Sequence, residues 1–181
     1  ASNLLWFSNT IAFTGIADSS AQLRFELNGV SVATGTGDSL QTNLSSSTYG
    51  MNTVRFIAEG ISTRDTATFI FLVNPVPVTA NLPAGSKDGV TYLNDSTVRL
   101  NLFAPYKEFV YVIGDFNNWQ LDTSYLMQRT PDSSRYWMDI TGLTPGREYV
   151  YQYYVNATLK IADPYTEKVL DPSTDKRSAA V

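Results

Sequence analysis

Four aspartates, Asp115, Asp139, Asp163 and Asp171, are the first residues here whose type could do acid–base chemistry, since paired carboxylates move protons when their environments differ. Each also has a plainer reading. Asp115 sits in a turn, where a carboxylate accepts backbone N–H bonds, and Asp163 precedes a proline in a loop. The chain has no histidine and no cysteine, which removes Ser-His-Asp and Cys-His nucleophile systems, His-ligated zinc, thiolate sites and disulfides. No Asp-x-Asp-x-Asp-Gly loop is present either, so neither metal nor cofactor is expected. What remains is the turn Gly114-Asp-Phe-Asn-Asn-Trp119, where an aromatic ring follows two amides. A flat ring with amides at its rim suits the C–H face and hydroxyls of a sugar; it also suits closure of one end of a β-sandwich.

Elsewhere the composition is that of an ordinary globular protein: 181 residues, 43% hydrophobic and 17% charged, with a formal net charge of −4. No basic block or interleaved arginine and aromatic pattern marks a nucleic-acid surface. No apolar run reaches the roughly 20 residues that a membrane-spanning helix needs.

The elements that must position these residues read as strands in two groups. Residues 1–74 hold no proline, no lysine and one tyrosine, Tyr49, whereas all eight prolines and ten of the eleven tyrosines lie beyond. The boundary falls at NPVPVTANLPAG, with residues 77–85 as a semi-rigid linker, because proline cannot donate ladder bonds and biases its neighbour to extended backbone. In the first group TIAFTGIA, AQLRFELNGVSVAT, NTVRFIAEG and ATFIFLV are short β-forming runs. Leu23, Phe25 and Leu27 alternate with polar partners, and Asn28-Gly29 predicts a tight hairpin turn. Ser39 to Thr48 reads as a polar loop carrying one exposed strand.

In the second group Val98 to Phe103 and Arg135 to Ile140 alternate, Phe109 to Ile113 is apolar throughout, and Tyr149, Tyr151, Tyr153 and Val155 share one side. Gln152 and Tyr154 take the other side. No window of helical period appears. The fold expected is all-β: two tandem immunoglobulin-like antiparallel β-sandwiches, over residues 1–76 and 86–172, followed by a tail, 173–181.

The ordered series GDFNNW, YWMDI, G-L-x-P-G, Y-x-Y-x-x-V and A-D-P-Y, spread over Val98 to Pro172, resembles carbohydrate-binding module family 48. This is the sandwich that precedes the catalytic barrel in alpha-amylase-family glycoside hydrolases such as branching enzymes, isoamylases and pullulanases. The first group resembles the extra immunoglobulin-like module ahead of that sandwich in some secreted bacterial amylase-like proteins. The resemblance implies a non-catalytic region whose parent acts on starch- or glycogen-type α-glucans. The family's barrel, a (β/α)₈ fold of roughly 250 residues with its carboxylate pair about 5 Å apart, does not fit within this length. The chain is therefore expected to be part of a longer protein. An extracellular, periplasmic or cell-surface location follows from the resemblance alone.

Transferred residue by residue, the resemblance makes Trp119 a sugar-stacking platform, with Asn117, Asn118, Gln152 and Tyr154 as candidate neighbours. The lysine and the second tryptophan of the glycogen-binding relatives correspond to Gln152 and Leu159 here. Losing one stack and one charged hydrogen bond, on the order of 1–2 kcal/mol each, lowers affinity by roughly 30- to 1000-fold. Trp137, Asp163 and Tyr165 are the candidates for packing against the barrel. Two further readings stay open: a working α-glucan-binding module, and a cell-surface interaction tandem unconnected with glucans.

Overall fold

The computed structural model describes residues 3–5, 10–166 and 168–170; the expected tail, 173–181, and Asp171 lie outside the described residues. The chain divides into two compact units, Ala1–Pro75 and Val76–Val181.

The first unit is one sheet built from β1 (Asn3–Leu5), β2 (Thr10–Leu27), β3 (Val30–Ser45), β4 (Gly50–Glu59) and β5 (Arg64–Val73), in the order β1-β5-β4-β2-β3. Only β1 pairs in parallel, with β5. The Asn28-Gly29 turn forms as its sequence predicts: both residues have positive φ, 51° and 83°, and Leu27 faces Val30 across it. The strands beyond it are longer than their runs suggest. TIAFTGIA and AQLRFEL form one strand, and the polar stretch after Ser39 is strand as far as Ser45, because Leu40 and Leu44 alternate inward there.

The β2–β3 ladder breaks register between Ile16 and Ala21. Beyond that irregularity the hairpin turns back over the same sheet. Phe13, from the far half of β2, lies 6.0 Å from the rings of both Phe25 and Phe69. The first sandwich is thus a single sheet folded on itself around Leu23, Phe25, Val54, Phe56 and Phe71. Gly15 permits the close approach, since a Cβ there would stand 2.1 Å from Cε2 of Phe56.

The second unit packs two sheets face to face. One comprises β6 (Gly89–Asn94), β7 (Thr97–Phe103), β10 (Arg135–Ile140) and β9 (Gln128–Arg129), in the order β6-β7-β10-β9. The other comprises β12 (Leu159–Ile161), β11 (Tyr151–Val155) and β8 (Val110–Gly114), in the order β12-β11-β8. Leu100, Leu102, Tyr136, Met138 and Ile140 from the first sheet meet Val110, Val112, Tyr151, Tyr153 and Val155 from the second. This is the alternation the sequence shows, and burying each of these side chains contributes about 1.5–3 kcal/mol.

Two details depart from the sequence reading. Tyr149 stands outside β11, because its hydroxyl accepts a hydrogen bond from the Thr144 N–H (2.9 Å) and so belongs to the preceding loop. The proline-rich stretch read as a linker is partly folded on the second unit. There the Ala80 N–H donates to the Arg129 carbonyl (3.0 Å) and the Arg129 N–H to the Val78 carbonyl (2.9 Å). Pro75 and Pro77 lack donors, and pairing starts just past them.

Candidate functional site

The GDFNNW turn begins where β8 ends. Asp115–Asn117 form one 3-10 turn, and Asn118 (φ 53°) and Trp119 (φ 61°) then occupy the left-handed region in succession. That region is unfavourable by roughly 1–2 kcal/mol for a residue with a Cβ, and asparagine tolerates it better than tryptophan. Trp119 is held there at two points. Its backbone N–H donates to the Gly114 carbonyl (2.9 Å), and its indole Nε1–H donates to Oδ1 of Asp115 (3.0 Å). The other carboxylate oxygen of Asp115 accepts from the Val150 N–H (3.0 Å), fixing the turn to the chain that enters β11.

Asn117 is the internal brace of the turn. Its amide accepts from the Gly114 N–H (2.8 Å) and donates to the Val112 carbonyl (3.0 Å), and the residue is buried. Both functions of its amide are therefore engaged inside the protein. Asn118 is exposed, and Trp119 keeps part of its surface in solvent.

On β11, Gln152 and Tyr154 share the face pointing away from the core, opposite Ile113 and Tyr111 of β8. Gln152 is buried, whereas Tyr154 is half-buried with its hydroxyl donating to the Ala157 carbonyl (2.7 Å). Leu159, at the position of the second tryptophan, is exposed. Its neighbour Lys160 was not singled out by the sequence. It pairs with Tyr154 across β11 and β12 and sets its ammonium 5.3 Å from the centre of that ring. The alternation Leu159-Lys160-Ile161 beside a tyrosine strand was the available signal.

Trp137 lies on the outer face of the four-stranded sheet, yet it is buried. Its indole N–H donates to the Ala80 carbonyl (3.3 Å) and the Arg99 guanidinium sits 5.2 Å from its ring centre. Arg99 also makes a forked pair with Asp139 (2.7 and 2.8 Å), and that hydrogen-bonded carboxylate holds the arginine above its ordinary pKa.

Asp163 is 2% exposed, with Oδ2 accepting from the hydroxyls of Tyr151 (2.7 Å) and Tyr153 (3.1 Å) and Oδ1 accepting from the Tyr165 N–H (2.9 Å). Burial is the main cause that pushes both phenols well above the usual tyrosine range, and the neighbouring carboxylate adds to it. Tyr165 itself is exposed. Asp115, Asp139 and Asp163 thus each serve a separate local network. Among the described residues no group of three or more acidic, histidine or cysteine side chains could hold a metal ion.

The second unit is thus a two-sheet sandwich with a braced aromatic turn at one end and with Asp115, Asp139 and Asp163 each engaged in local bonds. The family model described as carbohydrate-binding module 48 (isoamylase N-terminal domain) matches residues 88–166 of this chain. The chain is similar to the 1,4-alpha-glucan branching enzyme GlgB of Clostridium perfringens, with 37% identity over 81 residues, covering 42% of this chain and 12% of that enzyme. A second branching enzyme of the same species, GlgB 2, is 35% identical over 81 residues, again 42% of this chain and 12% of the relative. The matched region is therefore a small part of those relatives. Among solved structures, a GBS pullulanase, SAP, in complex with maltotetraose aligns over 99% of this chain and 26% of its own, at 12% identity and a TM-score of 0.39.

Proposed function

We propose that this chain is a non-catalytic region of an alpha-amylase-family enzyme acting on α-glucans, in which the second sandwich accompanies a catalytic (β/α)₈ barrel. A weak glucan contact through Trp119 belongs to this reading. The observation that carries it is the state of the turn within a family-matched sandwich. Trp119 is held in one pose by Asp115, while the lysine and second tryptophan expected beside it are Gln152 and Leu159. One aromatic platform remains, and the anchors that would make binding tight are replaced.

Support for an accessory role comes from Asp163, which binds the exit segment into the sandwich through Tyr151 and Tyr153 and leaves Tyr165 exposed to meet a following domain. Trp137 is covered by residue 80 and is not offered to a barrel. The test is an NMR titration of the chain with maltoheptaose. The reading expects amide shifts centred on Gly114 to Gln120, saturating only at millimolar ligand and abolished by Trp119→Ala. Submicromolar binding would instead make the chain a dedicated glucan-binding module.

A further inference from the structure

The second sandwich carries another cleft, at the end where the β6–β7 hairpin meets the loop 141–149. We propose that this cleft, which Phe116 of the GDFNNW turn also lines but the Trp119 ring does not, is a second carbohydrate site that takes a short neutral oligosaccharide. Its volume is about 520 Å³, within the range of about 300–1,000 Å³ usual for small-molecule clefts. The floor is apolar, formed by core residues such as Val98, Leu100 and Ile140.

Each wall contributes a tyrosine: Tyr92, 79% exposed, from β6, and Tyr149 from the loop. The rim carries two acids, Asp95 and Glu148, and two bases, Arg147 and Lys168, so its formal charge cancels. Glu148 and Lys168 are themselves paired (2.6 and 2.7 Å). Aromatic walls with a charge-balanced, hydrogen-bonding rim match a neutral polyhydroxylated ligand better than an anion, a cation or a bare hydrocarbon.

The walls are also set in advance. The Leu143 N–H donates to the Ser96 carbonyl (3.0 Å), tying the loop to the hairpin, and the Arg147 N–H closes its turn on the Thr144 carbonyl (3.2 Å). Arg147 then lies 4.8 Å from the Tyr149 ring centre, and the Tyr149 hydroxyl holds the Thr144 N–H. A ligand entering this cleft has little loop to order, which lowers the cost of binding.

The inference draws on the proposed function only in choosing an α-1,4-linked probe. The ¹⁵N-labelled chain of 181 residues is titrated with maltotriose, together with the variants Tyr92→Ala, Arg147→Ala and Trp119→Ala. The expected result is saturable shifts at amides of Leu93–Thr97 and Thr144–Tyr149 in the millimolar range. They should persist in Trp119→Ala and be weakened about tenfold in Tyr92→Ala and Arg147→Ala. Absence of shifts at those amides overturns the inference, as does undiminished binding by both cleft variants. Because Phe116 lines the cleft, the readings are separated by the flanking amides. Shifts at Gly114–Gln120 with none at Leu93–Thr97 or Thr144–Tyr149 overturn the inference while leaving the Trp119 reading intact. Shifts at the hairpin and loop that persist in Trp119→Ala, with none at Asn118–Gln120, support it while removing that reading.

Discussion

Asp163 shows how a single side chain can be mistaken for chemistry. A buried carboxylate accepting from two phenols has the parts of an acid–base site, but both of its oxygens are engaged by groups of its own unit. Replacing it with alanine removes the carboxylate that accepts from two buried hydroxyls. The expected loss is about 3 kcal/mol in thermal or urea unfolding of the second unit, against about 1 kcal/mol for Tyr151→Phe. Tyr151 and Tyr153 give a matching pH dependence. Their folded-state pKa values are raised, so the stability they contribute is complete below about pH 10 and is lost as alkali rises beyond it. Absorbance at 295 nm should show these two phenols ionising together with unfolding, above the ordinary tyrosine range.

Asp132 acts in the opposite sense. Hydrogen bonds from the hydroxyls of Thr130 and Ser134 bring its carboxyl down to about 2. Its contribution is present above the ordinary value near 3.8 and disappears as pH falls toward 2. Asp132→Asn should be less stable than the native chain at neutral pH, and the two should converge near pH 2 in equilibrium unfolding.

At the scale of the element, the strands and the Asn28-Gly29 turn were legible because a period of two and a need for positive φ are written in residue types. The continuity of β2 and β3 was not. The stretch across Ile16 to Ala21 interrupts the apolar pattern, and the tilted ring contacts of Phe13 with Phe25 and Phe69, with the close approach of Gly15 to Phe56, show that the strand continues and folds over. Gly15 is where this arrangement is most exposed to test. Gly15→Ala should destabilise the first unit by about 1–3 kcal/mol through overpacking against Phe56, while the unfolding of the second unit stays unchanged. The candidate site was half legible for a similar reason. Residue types pointed to Trp119, but the inward turn of Asn117 and the placement of Lys160 over Tyr154 depend on backbone geometry and strand pairing. Tyr149 was misplaced on β11 because alternation alone does not show where a loop hydrogen bond ends a strand.

For the whole molecule, the two units differ in how they make a core: the first folds one sheet upon itself, and the second packs two sheets. The second carries the family match and the braced turn. The proposed role places catalysis elsewhere in a longer protein and leaves to this chain support of a barrel and weak contact with glucan. The most direct measurement is activity on amylopectin, read as new reducing ends and as new branch points, for this chain alone and for the product of the full reading frame. The expected result is no turnover by the chain and turnover by the longer protein, with a lowered barrel melting temperature when residues 88–166 are deleted. Turnover by the chain alone, or a full reading frame encoding no glucan-active barrel, would contradict it.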